Sequence, residues 1–305
     1  MSYQYYIADV FTNQVFNGAQ VAVFPDANGL SEPAMAQVAR EMSLSETVFL
    51  FKQDALENTW RMRAFSPYAE IDHTGHPVIA AAYVLGSNGT LDLSAENSAL
   101  VFEQNTSTVN VKVGSVNGKP HLIQYTRQVS PIVDLYAPTD QETANILSLS
   151  EDEIDNEKFN VRLVSCGFPY LVVPVLKYES VRKARFNFSL WSQSSAPQTA
   201  AQEILLVSPE TPYADSDFAV RLLGPNIGIH QDPPVGSTMA SFASYLCSFG
   251  FMRHATHSYA IERGDENVRR SVLNLELDHK GENTLTIRVA GEAVMVADGN
   301  MFVPE

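Results

Sequence analysis

The sequence predicts an α+β protein of two pseudo-symmetric halves, each a rolled mixed β-sheet around a central α-helix. Three observations carry this. Short apolar runs bounded by turn residues recur along most of the chain, the pattern of strands. Two segments, Pro77 to Leu85 and Thr238 to Cys247, are apolar nearly all round, and a helix without a polar face is buried. Each follows the same lead-in: Arg63-Ala64-Phe65-Ser66-Pro67 runs to Thr74-Gly75-His76, and Arg221-Leu222-Leu223-Gly224-Pro225 runs to Val235-Gly236-Ser237. Pro67 to Gly75 is eight positions and Pro225 to Gly236 eleven, so the second loop is three residues longer within an otherwise repeated unit.

In chain order, Tyr5 to Val10 and Gln20 to Phe24 read as strands, closed by the turn Asp26-Ala27-Asn28-Gly29. Ser31 caps a helix that opens with Glu32 and Pro33; Met35, Val38, Ala39 and Met42 form its apolar face. Thr47 to Phe51 is a buried-strand run, followed by strands at Trp60 to Phe65, Ala99 to Phe102, Thr108 to Val113 and His121 to Tyr125. The acidic stretch from 137 to 160 reads as a surface connection with at most a short helix. The halves divide at 125, as residues 1–125 and 126–305, with the C-terminal strand free to return to the first half. Asn160 to Val175, Leu205 to Val207 and Phe218 to Leu223 resume the strand pattern, Ser192 to Thr199 is a loop by composition, and 271–303 reads as strands joined by tight turns.

Composition narrows the function. Apolar residues make up 45% and charged residues 18%, a globular balance. Thirty-five acidic against 20 basic residues leave a formal charge of −15, and the densest basic pieces are Arg182-Lys183-Ala184-Arg185 and Arg269-Arg270. That footprint is too small to displace counterions from a phosphate backbone, so no nucleic-acid partner is expected. No apolar run is long enough to span a membrane, and the start lacks the pattern of a signal peptide, so the expectation is a cytoplasmic protein with no membrane partner. Cys166 and Cys247 cannot make a disulfide framework and read as core residues.

Two helix N-termini, at His76 and Ser237, would bring unpaired N–H groups and positive dipole ends toward a shared cleft, which predicts a small carboxylate-bearing substrate. Glu46 sits where a helix ends and an apolar strand begins; burial there raises a carboxyl toward neutrality, as a general acid–base group requires. On position alone, a solvated glutamate is the more ordinary reading. His76 precedes Pro77 at the start of the first buried helix, where a plain capping histidine is the common outcome. Asp232, in Gln231-Asp232-Pro233-Pro234, lies in the matching loop of the second half, where Asp-Pro usually forms a turn. His73-x-x-His76 and His254-x-x-His257 lack the partners of a zinc motif, and no phosphate loop, dinucleotide fingerprint or nucleophile elbow is found. No metal is expected.

An ordered set of segments carries a resemblance. Phe16 to Phe24, Glu41-Met42-Ser43-Leu44-Ser45-Glu46, Gly75-His76-Pro77, Asp232-Pro233-x-x-Gly236-Ser237 and Val289-Ala290-Gly291 together resemble the PhzF-like family of phenazine biosynthesis, which shares the diaminopimelate epimerase fold. The resemblance implies a site between the halves, a homodimer, and no cofactor. It also implies an isomerase acting by proton transfer, like trans-2,3-dihydro-3-hydroxyanthranilate isomerase, in which the glutamate matching Glu46 takes a proton from one ring carbon and returns it to another. His76 and Asp232 match polar site residues of that family, and Gly75, Gly236 and Ser237 match positions that cradle the substrate. The chain departs where the family commonly has Gly-Asn-Pro, here Gly18-Ala19-Gln20, and where Glu-Asp-Pro has become Gln231-Asp232-Pro233. Thr74 and Val235 stand where the epimerase relatives carry their two cysteines, so thiol-based racemisation is not expected. Two other readings stay open: a lyase that begins with the same proton abstraction, and a non-catalytic small-molecule binding protein on this fold.

Overall fold

The computed structural model describes every residue except Asp54, His73, Thr74, Asn226, 228–231, Glu266, Val268, Glu282, Pro304 and Glu305. Thr74, Gln231 and the first member of the His73-x-x-His76 pair therefore lie outside the described residues. The chain divides into two compact units: unit 1 holds Met1–Arg127, Glu266–Ser271 and Arg288–Glu305, and unit 2 holds Gln128–Asp265 and Val272–Ile287.

Unit 1 begins with β1 (Ser2–Val10), β2 (Ala19–Phe24), α1 (Glu32–Met42), β3 (Glu46–Lys52) and β4 (Thr59–Phe65). It continues through β5 (Glu70–Ile71), α2 (His76–Ser87), β6 (Asn97–Glu103), β7 (Thr108–Val116) and β8 (Lys119–Val129). β1 lies antiparallel to both β2 and the C-terminal strand Ala293–Phe302, so the end of the chain does return to its beginning. β2 and β3 are parallel, joined through α1, with Val21 opposite Glu46; β3 and β4 are antiparallel, with Thr47 opposite Phe65. α1 forms as expected: the Ser31 side chain accepts from the Ala34 N–H, and Met35, Val38 and Ala39 pack with Phe24, Phe49 and Phe65. The other face of the sheet wraps α2, which touches β1, β2, β3, β7 and the C-terminal strand. From His76 to Gly86 only Tyr83 escapes full burial, which is what an all-apolar helix demands.

The Phe16–Gly18 turn that leads into β2 is pinned from far along the chain. Arg269 donates to the Asp9 carboxylate, to Gly18 O at 3.0 Å and to Asn17 O at 3.0 Å, while the Phe16 N–H donates to Asp9 at 2.6 Å. Gly18 has φ +66°, and a Cβ there would stand 2.3 Å from Val10 O, so only glycine fits.

Unit 2 runs through β9 (Ile132–Asp134), α3 (Asp140–Leu147), β10 (Arg162–Ser165), β11 (Pro169–Pro174), α4 (Tyr178–Lys183) and α5 (Phe188–Gln193). Then come β12 (Glu203–Ser208), β13 (Phe218–Leu223), α6 (Met239–Cys247), β14 (Thr256–Arg263), β15 (Ser271–Asp278) and β16 (Leu285–Gly291), of which Ser271 and the residues from Arg288 on belong to unit 1. β11 and β12 are parallel, with Tyr170 opposite Glu203; β12 and β13 are antiparallel, with Ile204 opposite Leu223. α6 packs on β10 and β11, and its residues are buried from Met239 to Leu246. It is shorter than the sequence suggests, because Gly236–Thr238 form a 3-10 turn ahead of it.

Two expectations change. The 137–160 stretch is not only a surface connection: Thr139 and Glu142 close a capping box on α3, whose Ala144, Ile146 and Leu147 sit in the core of unit 2. The apolar positions lie between Asp140 and Glu142 on one side and Glu151-Asp152-Glu153 on the other, which mask them in the composition. Ser192 and Gln193 belong to α5, and a 3-10 turn covers Ala196–Gln198, so the expected loop is partly ordered. Cys166 and Cys247 are not joined in a disulfide, and both are half-buried rather than core residues, Cys166 lying 3.3 Å from Ser244 Oγ.

Candidate active site

Glu46 is the first residue of β3, and the alternation of the strand turns it away from the α1 face and toward α2. Its side chain keeps 12% of its surface, but the Oε2 atom is buried and makes no hydrogen bond. Among the described residues, no lysine or arginine pairs with it. Burial alone lifts its carboxyl to about 8 from the ordinary 4.5, so at neutral pH the group is mostly a neutral acid.

His76 opens α2 and is 2% exposed, with Nδ1 at 3.8 Å from Glu46 Oε2. That is contact distance and longer than a hydrogen bond. The imidazole is held from its other side by Phe11, edge-on, with ring centres 5.2 Å apart. Gly75 is the cap residue of α2 and, as glycine, brings no side-chain cap to this helix start. The geometry brings Glu46, Gly75 and His76 together.

Phe11 reaches His76 because Gly291 has no side chain: a Cβ there would lie 2.3 Å from Phe11 Cδ1. Gly291→Ala is therefore expected to push Phe11 into His76 and cost about 1–3 kcal/mol by overpacking. Nitrogen-15 NMR of the imidazoles reads this directly. The His76 resonances should move in the variant, and unmoved resonances would show that Phe11 does not position the ring.

Tyr125, buried on β8, was not singled out by the sequence. Its phenol is held neutral, first by burial and further by the negative charge of Glu46, an effect that Arg127 partly opposes. A tyrosine in an alternating strand carries no sequence mark of this; only the sheet register brings it within range of Glu46.

In unit 2, Asp232 is buried and doubly engaged. Arg182 donates to Oδ2, Arg263 Nε stands 3.5 Å from Oδ1, and Arg263 also donates to the carbonyls of Asp232 and Pro233. Through these contacts the two arginines tie the Asp232 carboxylate and its loop together. Arg182, which the sequence placed in a basic cluster, is used internally. The Gly236–Thr238 turn puts Ser237 Oγ 3.3 Å from the Tyr170 hydroxyl, while Thr238 bonds back to Val235 O at 2.7 Å. Val235 is buried. Among the described residues, no group of three or more His, Cys, Asp or Glu side chains is arranged to hold a metal ion.

Comparison with known proteins decides the family. The family described as "Phenazine biosynthesis-like protein" matches residues 8–299. The chain belongs to this family. Relatives within it include an "uncharacterized isomerase" of Mesorhizobium japonicum, 33% identical over 98% of each chain. A trans-2,3-dihydro-3-hydroxyanthranilate isomerase of Pseudomonas chlororaphis is 24% identical over 99% of this chain and 100% of its own. Among solved structures, a PhzF-family phenazine biosynthesis protein of Bacillus anthracis shares the fold with a TM-score of 0.85, at 22% identity and 99% coverage of each chain. The PhzF-like family and its α+β fold, expected from the ordered motifs, are thus established. Among the described residues, no helix is long and apolar enough to cross a membrane.

Proposed function

We propose that this PhzF-like protein is a cofactor-independent isomerase that relocates a proton within a small carboxylate-bearing substrate, with Glu46 as the group that takes and returns it. The observation that carries this is the buried, unpartnered Oε2 of Glu46. A carboxyl left without a hydrogen bond or a counter-charge is costly, and such groups concentrate where chemistry needs them. With its carboxyl near 8, Glu46 in the ionised form is a far stronger base than a surface glutamate, and in the neutral form it can give the proton back.

His76, in contact with Oε2, orients the carboxyl and keeps that side of the site closed to water. The helix start at Gly75 and His76, whose cap residue carries no side chain, suits a carboxylate. Gly236 and Ser237 are the matching candidates in unit 2, and Asp232, locked by two arginines, holds their loop in place. The relative from Pseudomonas chlororaphis supplies the first compound to try. Incubated with trans-2,3-dihydro-3-hydroxyanthranilate in heavy water, the protein is expected to convert it and to place deuterium on a ring carbon. Binding without conversion or exchange would favour the binding-protein reading instead.

A further inference from the structure

The duplication carries a second carboxyl into an equivalent place. In unit 1, Glu46 is the first residue of β3, one position before Thr47, which pairs with Phe65 of Arg63-Ala64-Phe65-Ser66-Pro67. In unit 2, Glu203 is the first residue of β12, one position before Ile204, which pairs with Leu223 of Arg221-Leu222-Leu223-Gly224-Pro225. Each glutamate also stands opposite a residue of a parallel strand, Val21 for Glu46 and Tyr170 for Glu203.

The side chains face the same way in both units. Ile204, Leu206, Leu171 and Val173 belong to the core under α3 to α5, so Glu203 and Tyr170 point to the other face, where α6 packs on β11. Tyr170 then reaches Ser237 at the turn before α6, as His76 at the start of α2 reaches Glu46. Gly224 closes over Glu203: at φ +154°, a Cβ on it would lie 3.1 Å from Glu203 Cα.

We infer that Glu203 is a second acid–base carboxyl of this enzyme, the unit 2 counterpart of Glu46. This rests on the isomerase reading above. As a general acid, Glu203 breaks its O–H bond and gives the proton to the substrate oxygen on which negative charge builds while Glu46 removes the carbon proton; when Glu46 returns that proton to the other carbon, the substrate O–H bond breaks and Glu203 takes its own proton back. The surroundings suit this role. Among the described residues, no hydrogen bond or ion pair engages the carboxyl, and burial raises it to about 7. Among the described residues, Tyr170 from β11 shares its face and α6 on that face carries Tyr245 and Cys247; Arg221 from β13 points the opposite way, to the carbonyls of Val181, Arg182 and Ala184. Gly224 brings no charge.

The test compares the intact parent protein with Glu203→Gln and Glu203→Asp, using trans-2,3-dihydro-3-hydroxyanthranilate in heavy water across a pH series. A general acid must be protonated, so parental turnover should fall on the alkaline side as Glu203 ionises. Glu203→Gln is expected to lower kcat by about 10²–10⁴-fold, with KM changed little and that alkaline fall gone. Parental kcat in Glu203→Gln, or a lower kcat with the alkaline fall intact, would overturn the inference. Should the amide variant not fold, Glu203→Asp takes its place, and parental kcat there counts against it equally. If the parent does not convert this compound, the proposed substrate fails by itself, and Glu203 is judged by carbon-13 NMR of labelled glutamate carboxyls. The resonance missing from Glu203→Gln (or displaced in Glu203→Asp) should titrate near 7 and shift when benzoate is added. A midpoint near the ordinary 4.5, or no response to benzoate, would overturn the inference.

Discussion

Glu46→Gln is expected to abolish solvent-proton exchange into the substrate while leaving ligand binding nearly intact. The amide keeps the shape of the side chain and loses its basicity, and a positioned acid–base group is worth about 10²–10⁴ in rate. In Glu203→Gln, where the alkaline fall is gone, the remaining turnover limited by Glu46 should rise with pH as the carboxyl ionises around 8. Glu46→Asp should fail nearly as badly, because withdrawing the base by one methylene misplaces it against the carbon acid. Deuterium incorporation, with binding measured separately by calorimetry, checks all three points. Near-parental exchange by Glu46→Gln would hand the role to another group.

The same burial has a consequence for stability. The folded protein holds the Glu46 proton up to about pH 8, whereas the unfolded chain releases it near 4.5. The folded carboxyl is thus raised above its unfolded value. Its contribution is fully present below 4.5 and is lost as pH rises toward 8. Each unit of such a shift is worth about 1.4 kcal/mol, so the loss amounts to a few kcal/mol. Glu46→Gln cannot titrate. Its stability relative to the parent should therefore improve steadily from pH 5 to pH 9, and a constant difference would contradict the burial of an unpartnered carboxyl.

Arg269→Met is expected to give the largest purely structural loss. Asp9 is fully buried, and with Arg269 gone it keeps only the Phe16 N–H, while the carbonyls of Asn17 and Gly18 each lose a donor. Stripping one partner from a buried ion pair costs about 3–5 kcal/mol. The Arg269 side chain is 31% exposed, which places the effect at the lower end, about 3 kcal/mol. Burial already raises the Asp9 carboxyl, against the pull of Arg269. Removing the arginine raises it further, so the deficit of the variant should be smaller at pH 4 than at pH 7. Urea unfolding at both pH values measures this. A loss below 1 kcal/mol, or one indifferent to pH, would mean that Asp9 is not held by Arg269.

The parts of this molecule that were legible in the sequence are those written in short-range pattern. The all-apolar stretches behind His76 and Ser237 could only be buried helices, and Ser31 with its apolar stripe could only open α1. Glu46 stood out because a charge at the head of an apolar strand is locally odd. What stayed hidden depends on partners far away in the chain. Asp9 and Arg269 are 260 positions apart, and Asp232 meets Arg182 50 positions upstream, so both arginines looked like surface charge. Glu203 was missed for a different reason. Gln202-Glu203-Ile204 is an ordinary strand opening, and only the pairing of Ile204 with Leu223 equates it with Glu46. Tyr125 likewise acquires meaning only through the closure of the sheet that brings Glu46 within electrostatic reach.

The most direct measurement is a carbon-13 NMR titration of the Glu46 carboxyl in the unliganded protein, assigned by its absence from Glu46→Gln. A proton-carrying glutamate with a buried, unpartnered Oε2 should titrate near pH 8. A midpoint near the ordinary 4.5 would show a solvated or charge-paired carboxylate, and Glu46 could not then be the group that takes and returns the proton.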